Sequence, residues 1–168
     1  MEGLIGMSHF GFASADLDRS VRFYVDVLGA RLQWQTEHQI KLYVGDIGMA
    51  IPLGEPNPNY DLHFAFKVDP DHVDEVFAHI ESCGVEVDGP HGHGTEPVNV
   101  SWFFEDPDGY RIEIECRYPN VERVVTLLER DNEQTDKRKP HLGLYRGSDT
   151  LPVIRAALAT AGTGASAS

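Results

Sequence analysis

The sequence predicts an α+β fold of two repeated modules set about one shared site, and three observations support it. A histidine-led segment occurs twice: His9 opens HFGFASADLDRSVRFYVDVLG and His63, 54 residues later, opens HFAFKVDPDHVDEVFAHIESCG. With the histidines aligned, Phe10 falls on Phe64, Phe12 on Phe66 and Phe23 on Phe77, and one inserted residue brings Gly29 onto Gly84. Each copy also reads as a strand, an amphipathic helix and further short strands, the second ending in DPDGYRIEIE with Glu113 in its last strand.

Residues 7–13 alternate, His9, Gly11 and Ala13 on one face against Phe10 and Phe12 on the other. Asp16 caps a helix running to Leu28, with Val21, Tyr24, Val25 and Leu28 at helical spacing and Gly29 as its stop. Strands are expected over 31–36, 40–44 and 48–53, followed by the connector GEPNPNYD. The second module repeats the plan. LHFAFKV is a strand, and a helix over 71–82 carries Val73, Val76, Phe77 and Ile80 on one stripe. Cys83-Gly84 ends it, VEV begins the next strand, and DGPHGHGTEP is a loop. VSWFFEDPDGYRIEIEC is a hairpin around Asp-Pro-Asp-Gly, with Pro107 suited to the second turn position and Gly109 to positive φ.

Past Arg117 a helix over 119–130 is expected, then the polar break DNEQTDKRKP, the segment HLGLYRGS, a terminal helix in LPVIRAALATAG and a disordered end. Residues 1–118 therefore form a paired-module domain, with modules at about 7–54 and 60–117. Residues 119–168 form a C-terminal helical extension whose tail suits either a lid or a disordered segment.

The composition excludes several functions. A net charge of −13 on 168 residues repels phosphate backbones and anionic membranes, so neither nucleic acid nor membrane is an expected partner. Two cysteines are too few for a disulfide framework. No apolar run reaches the ~20 residues of a membrane span. The start, MEGLIGMSHF, has no signal-peptide pattern, so a cytoplasmic location is expected.

The chemistry-bearing residues share faces. In the last strand Arg111, Glu113 and Glu115 alternate against Tyr110, Ile112 and Ile114. A row of ionisable groups is costly to bury unless paired or metal-bound. His9, His63 and one carboxylate, Glu113 or Glu115, suit Fe(II), Mn(II), Zn(II), Ni(II) or Co(II), and three ligands leave room for substrate. Arg111, Arg117 and Arg146 are candidates for clamping an anionic substrate group, and Tyr60, three residues before His63, is a further substrate-binding candidate.

HFGFASADLDRSVRFYVDVLGARL, LHFAFKVD and FFEDPDGYRIEIE together resemble the vicinal oxygen chelate superfamily over about residues 7–117. That family includes glyoxalase I, extradiol dioxygenases, fosfomycin-resistance enzymes and bleomycin-binding proteins. The resemblance implies paired βαβββ modules forming a cupped mixed sheet around one metal. It selects His9, His63 and Glu113 as ligands, with Glu115 as a neighbour or salt-bridge partner. The strand GMAIPL offers Met49 and Ile51 where glyoxalase I usually has a glutamate. Bleomycin-binding relatives generally lack the triad. The fosfomycin enzymes use a lysine before the hairpin and a tyrosine two residues after its serine. Here there is no lysine between Lys67 and Lys137, and Phe103 follows Ser101 by two. The larger extradiol enzymes place a tyrosine near Phe103 and a histidine at the start of GMAIPL, and this chain has neither.

The expected activity is that of an Fe(II) extradiol dioxygenase cleaving a small aromatic catechol with dioxygen, L-DOPA being the specific candidate. His91 or His93 of the HGHG loop would move the proton, with His141 a further candidate. The alternatives are a non-redox isomerase, epimerase or thiol transferase using Mn(II), Ni(II), Co(II) or Zn(II), and a drug-sequestering binding protein. A homodimer is the expected assembly.

Overall fold

A computed structural model of the chain describes residues 6–59, 62–93 and 98–118, together with 123, 125 and 126. The chain divides into two compact units, and the division is not linear. One unit comprises Met1–His63, His79–Val85 and Glu105–Arg111; the other comprises Phe64–Ala78, Glu86–Phe104 and Ile112–Ser168.

The first unit is built on strands β1 (His9–Gly11), β2 (Arg31–Gln35), β3 (Gln39–Val44) and β4 (Ile47–Pro52), with helix α1 (Leu17–Leu28) between β1 and β2. The sheet order is β1-β4-β3-β2, with β1 parallel to β4 and the other pairs antiparallel. Helix α1 begins where expected, because the Asp16 carboxylate accepts the Arg19 N–H at 3.0 Å. It ends at Gly29, whose φ of 63° a side chain would resist. Its buried stripe is Leu17, Ser20, Tyr24 and Val27, rotated from the predicted Val21, Tyr24, Val25 and Leu28. The rotation is tolerable because Ser20 Oγ pairs with Ser14 Oγ at 2.7 Å, satisfying a hydroxyl in the core.

Strand alternation sends Ile40, Leu42, Met49 and Ile51 into that core, all fully buried. Each contributes roughly 1.5–3 kcal/mol of apolar burial. Phe12 joins them, its ring 6.0 Å from that of Tyr24, so this face of the sheet is the one α1 covers. Pairing by β1 stops at Gly11, short of the predicted 7–13, and resumes only as an isolated bridge between Ser14 and Leu53.

The hairpin turn at 105–111 belongs to this unit. Both Asp106 carboxylate oxygens are engaged: Oδ1 accepts the N–H groups of Asp108 and Tyr110 at 2.9 and 2.8 Å, and Oδ2 accepts the Tyr24 hydroxyl at 2.7 Å. Arg19 pairs with Asp108, and the Tyr110 ring rests 4.7 Å from Phe12. Gly109, at φ 85°, closes the turn as expected. Burial pushes the Asp106 carboxyl above its ordinary pKa, while the bonds from Tyr24, Tyr110 and Asp108 pull it back. Burial likewise raises the Tyr24 phenol, with the Asp106 charge adding to it.

The second unit carries α2 (Val73–Ser82) as far as Ala78, preceded by a 3-10 turn at Pro70–His72. Its sheet is assembled from β5 (His63–Lys67), β6 (Asp88–His93), β7 (Val98–Glu105) and β8 (Arg111–Tyr118), in the order β5-β8-β7-β6. The two sheets therefore repeat one βαβββ plan. The core gathers Val73, Val100, Trp102 and Cys116, with the Phe77 ring tilted against that of Trp102 at 4.3 Å between centres and Val125 packed alongside.

DGPHGHGTEP, read from its glycines as a loop, supplies strand β6 through His93, and VEV lies before that strand rather than in it. The segment pairs because β7 offers it a backbone ladder. Gly89, at φ 136°, lies so near that ladder that a Cβ would meet the Ser101 carbonyl oxygen at 2.8 Å. Residues 123, 125 and 126 are helical, within the helix expected over 119–130. The remainder of that helix, the segments HLGLYRGS and LPVIRAALATAG and the tail lie outside the described residues. Among those described, no helix is long and apolar enough to cross a membrane.

Two substitutions test this account. Tyr24→Phe removes a hydrogen bond to a buried carboxylate and is expected to cost about 1.5–3 kcal/mol at neutral pH. Burial penalises the charged form of Asp106 and so raises its pKa above the ordinary value. The Tyr24→Phe deficit, followed by urea denaturation, should therefore shrink as pH falls through the folded pKa of Asp106. Gly89→Ala meets both a positive φ and neighbouring backbone, and a loss of thermal stability comparable to a core defect is expected.

Candidate metal centre and substrate face

Two rows of paired residues cross the first sheet on the face away from α1. One row is Arg31, Tyr43, Gly48 and His9; the next is Trp34, Lys41, Ala50 and Gly11. The floor of this face is made of glycine and alanine, which leaves its ionisable and aromatic side chains standing over open backbone. A Cβ on Gly11 would meet the Ala50 carbonyl oxygen at 2.8 Å. His9 is exposed, and the Ser8 hydroxyl bonds its Nδ1 at 2.8 Å, which leaves Nε2 to act as a metal donor.

The repeated fold identifies the partner position of Glu113 in the first module. Ser14 N donates to Pro52 O at 3.0 Å, and Val68 N donates to Glu115 O at the same distance. Pro52 thus corresponds to Glu115, and Ala50, two residues earlier, to Glu113. Met49 and Ile51, read from sequence as the residues at the fourth-ligand position, point instead into the core under α1. The face itself offers only Ala50, so the expectation of no carboxylate from this strand holds for a different residue.

In the second sheet the same division operates. Val100 and Trp102 go to the α2 side, and Ser101 and Phe103 alternate to the other. Glu113 is buried there, and the Ser101 hydroxyl donates to its Oε1 at 2.5 Å, fixing the carboxylate. Arg111 is buried two residues before it. His91 faces Ser101 across the β6–β7 ladder and is 7% exposed. Its Nε2 lies 3.1 Å from the Asp88 carboxylate, while its buried Nδ1 has no hydrogen-bond partner among the described residues.

His63 begins β5 and is exposed, in the topological position of His9. Among the described residues, no three His, Cys, Asp or Glu side chains are gathered as a metal cradle. By donor chemistry the set nevertheless suits a divalent ion: two imidazoles at equivalent strand starts and one carboxylate held by a hydroxyl. Arg117 turns along its own strand to Glu115, Nε to Oε1 3.4 Å, so Glu115 is a salt-bridge partner as expected. Tyr60, Arg146, His141 and the side chain of His93 lie outside the described residues.

Sequence reading passed over Lys41, Tyr43, Trp34 and the role of Ser101. Lys41 and Tyr43 were accessible to it, since QIKLYV alternates them against Ile40 and Leu42. Trp34 was not. Register shifts between Leu32, which pairs with Leu42, and Trp34, which pairs with Lys41. The extra residue turns Trp34 to the His9 face, where uninterrupted alternation would have left it beside Leu32. A register shift in β6, between Asp88 and His91, likewise places both residues opposite Phe103 and Ser101.

Comparisons with known proteins agree with this architecture. The chain is 26% identical over 152 residues to glutathione transferase FosA of Serratia marcescens, spanning 87% of this chain and 98% of that protein. It is 26% identical over 140 residues to catechol-2,3-dioxygenase of Bacillus subtilis, spanning 75% of this chain but 46% of that protein. The crystal structure of fosfomycin resistance protein FosX from Mesorhizobium loti matches with TM-score 0.55 and 28% identity, over 72% of this chain and 98% of that one. A family model described as the Glyoxalase/Bleomycin resistance protein/Dioxygenase superfamily matches residues 6–114, a span holding His9, His63 and Glu113. With its two βαβββ modules and that match across most of its length, the chain belongs to the glyoxalase/bleomycin resistance protein/dioxygenase superfamily.

Proposed function

We propose that the protein is a divalent-metal-dependent thiol transferase acting on a small electrophile with adjacent oxygen donors. One observation carries this over the dioxygenase reading: the similarity to glutathione transferase FosA spans 98% of that protein, whereas that to catechol-2,3-dioxygenase spans 46%. The absence of a lysine between Lys67 and Lys137, and Phe103 in place of a tyrosine, mean that the substrate is held by different groups from those of the fosfomycin enzymes.

His9, His63 and Glu113 would hold the ion, which when bound supplies Lewis acidity toward the substrate oxygens. Ser101 orients Glu113 for that task through its 2.5 Å bond. In the addition step the thiol sulfur forms a bond to a substrate carbon as a strained carbon–oxygen bond breaks, and the thiol proton ends on the released oxygen. His91 is the chain's group for that transfer: Asp88 holds Nε2 and its charge steadies the ring when Nδ1 takes the proton. Arg111, buried on the strand of Glu113, would meet substrate charge. The homodimer expected from sequence is retained in this proposal.

A second reading is an Fe(II) extradiol dioxygenase for a catechol such as L-DOPA, because the His91–Asp88 pair would serve equally well to accept a phenolic proton. Purified protein loaded in turn with Mn(II), Zn(II), Ni(II), Co(II) and Fe(II) separates the two. We expect metal-dependent consumption of glutathione or cysteine with an epoxide, abolished in His9→Ala and Glu113→Ala. Oxygen uptake with a catechol, and no thiol consumption with any metal, would transfer the assignment to the dioxygenase. Ser101→Ala should weaken metal affinity by about 10–100-fold in equilibrium dialysis while leaving the fold intact.

A further inference from the structure

We infer that Lys41, with Trp34 beside it, is the specificity-determining site for an anionic group of the small-molecule ligand on the His9 face; this deepens, and rests on, the metal-dependent reading above. Lys41 does not extend away from the sheet. A Cβ on Gly48 would lie 2.8 Å from Lys41 Nζ and 3.1 Å from His9 Cβ, so the lysine reaches along the floor toward His9, and glycine at 48 makes the room.

In a chain with 27 acidic and 14 basic residues, a partly buried lysine would ordinarily find a carboxylate. Among the described residues Lys41 makes no ion pair. Its ammonium lies instead 5.4 Å from the centre of the Tyr43 ring, which Arg31 also approaches, at 5.0 Å. Two cations on one aromatic ring make a local positive field in a protein of net charge −13. An anion provides the missing counter-charge, and Lys41 directs it to the neighbourhood of the metal ligand His9.

Trp34 stands beside Lys41 on this face. It is 42% exposed, an unusual position for the largest apolar side chain, and the bulge in β2 aims it to the face carrying Lys41, its cross-strand partner. The indole forms an apolar wall beside the ammonium. A ligand that fits has a carbon skeleton against Trp34 and a phosphonate, phosphate or carboxylate against Lys41. Lys41 is therefore a binding residue, and its loss should act on affinity and KM rather than on the turnover of neutral substrates.

The test does not need turnover. Trp34 is the exposed tryptophan of the two, Trp102 being buried, so Trp34 emission reports on this face. Inorganic phosphate, methylphosphonate, acetate and glutathione are titrated into the full-length protein, with and without Mn(II). Any of these anions should perturb the emission of the native protein. Its affinity should fall about tenfold in Lys41→Met and Lys41→Gln and be largely restored in Lys41→Arg. The spectral change should vanish in Trp34→Phe. A response to phosphate or methylphosphonate assigns the anion to the acceptor substrate; a response to glutathione alone assigns it to the thiol; both support the site. Anion affinity equal in native protein and both lysine variants, with thermal melts confirming their folding, overturns it, as does no response to any anion. Lys41-dependent binding without thiol-transfer activity would retain this site while removing the activity proposed above.

Discussion

A β-strand gives its side chains two directions, and this protein assigns them strictly different work. In the first sheet one face is Ile40, Leu42, Met49 and Ile51 under α1, and the other is His9, Lys41 and Tyr43 over a floor of Gly11, Gly48 and Ala50. In the second sheet Val100 and Trp102 build the core while Ser101, Phe103, Glu113 and His91 occupy the opposite side. A shift of one residue in any of these strands would bury charge and expose the core together. The register that stabilises each unit is thus the register that presents its chemistry.

The exceptions to alternation lie in the corresponding strands β2 and β6. Each carries a bulge, and each bulge redirects a side chain: Trp34 in one, His91 with Asp88 in the other. Such irregularities weaken a ladder locally, so their recurrence at matching topological positions is best understood through the side chains they aim. Both lie in strands at the end of the sheet order, where the loss of a ladder bond disturbs one neighbour only.

Buried polar groups are also placed with their partners. Asp106 is held by two backbone N–H groups and the Tyr24 hydroxyl, which makes a distant hairpin turn part of the first unit. Glu113 is held by Ser101. The first arrangement is purely architectural and explains why the compact units are not consecutive in sequence. The second restrains a carboxylate that would otherwise have several rotamers. Phe103 on that side of the second sheet and Ala50 on the open face of the first supply no polar group.

The sequence by itself determined the repeat, the α1 boundaries at Asp16 and Gly29, the Asp-Pro-Asp-Gly turn and the alternation that sets His9 and Glu113 apart from the phenylalanines and isoleucines. These are local facts: a cap, a positive φ or a period of two is settled within a few residues. Tertiary structure decided what depends on a partner strand. Glycine-rich DGPHGH becomes β6 because β7 supplies its ladder, which no reading of its propensity could anticipate. The α1 stripe rotates because Ser14 satisfies Ser20, and Arg117 is committed to Glu115. The aim of Trp34, and the course of Lys41 over Gly48, follow from cross-strand register and from space at one glycine. Register and free space are properties of two strands together, and a single strand's sequence specifies neither.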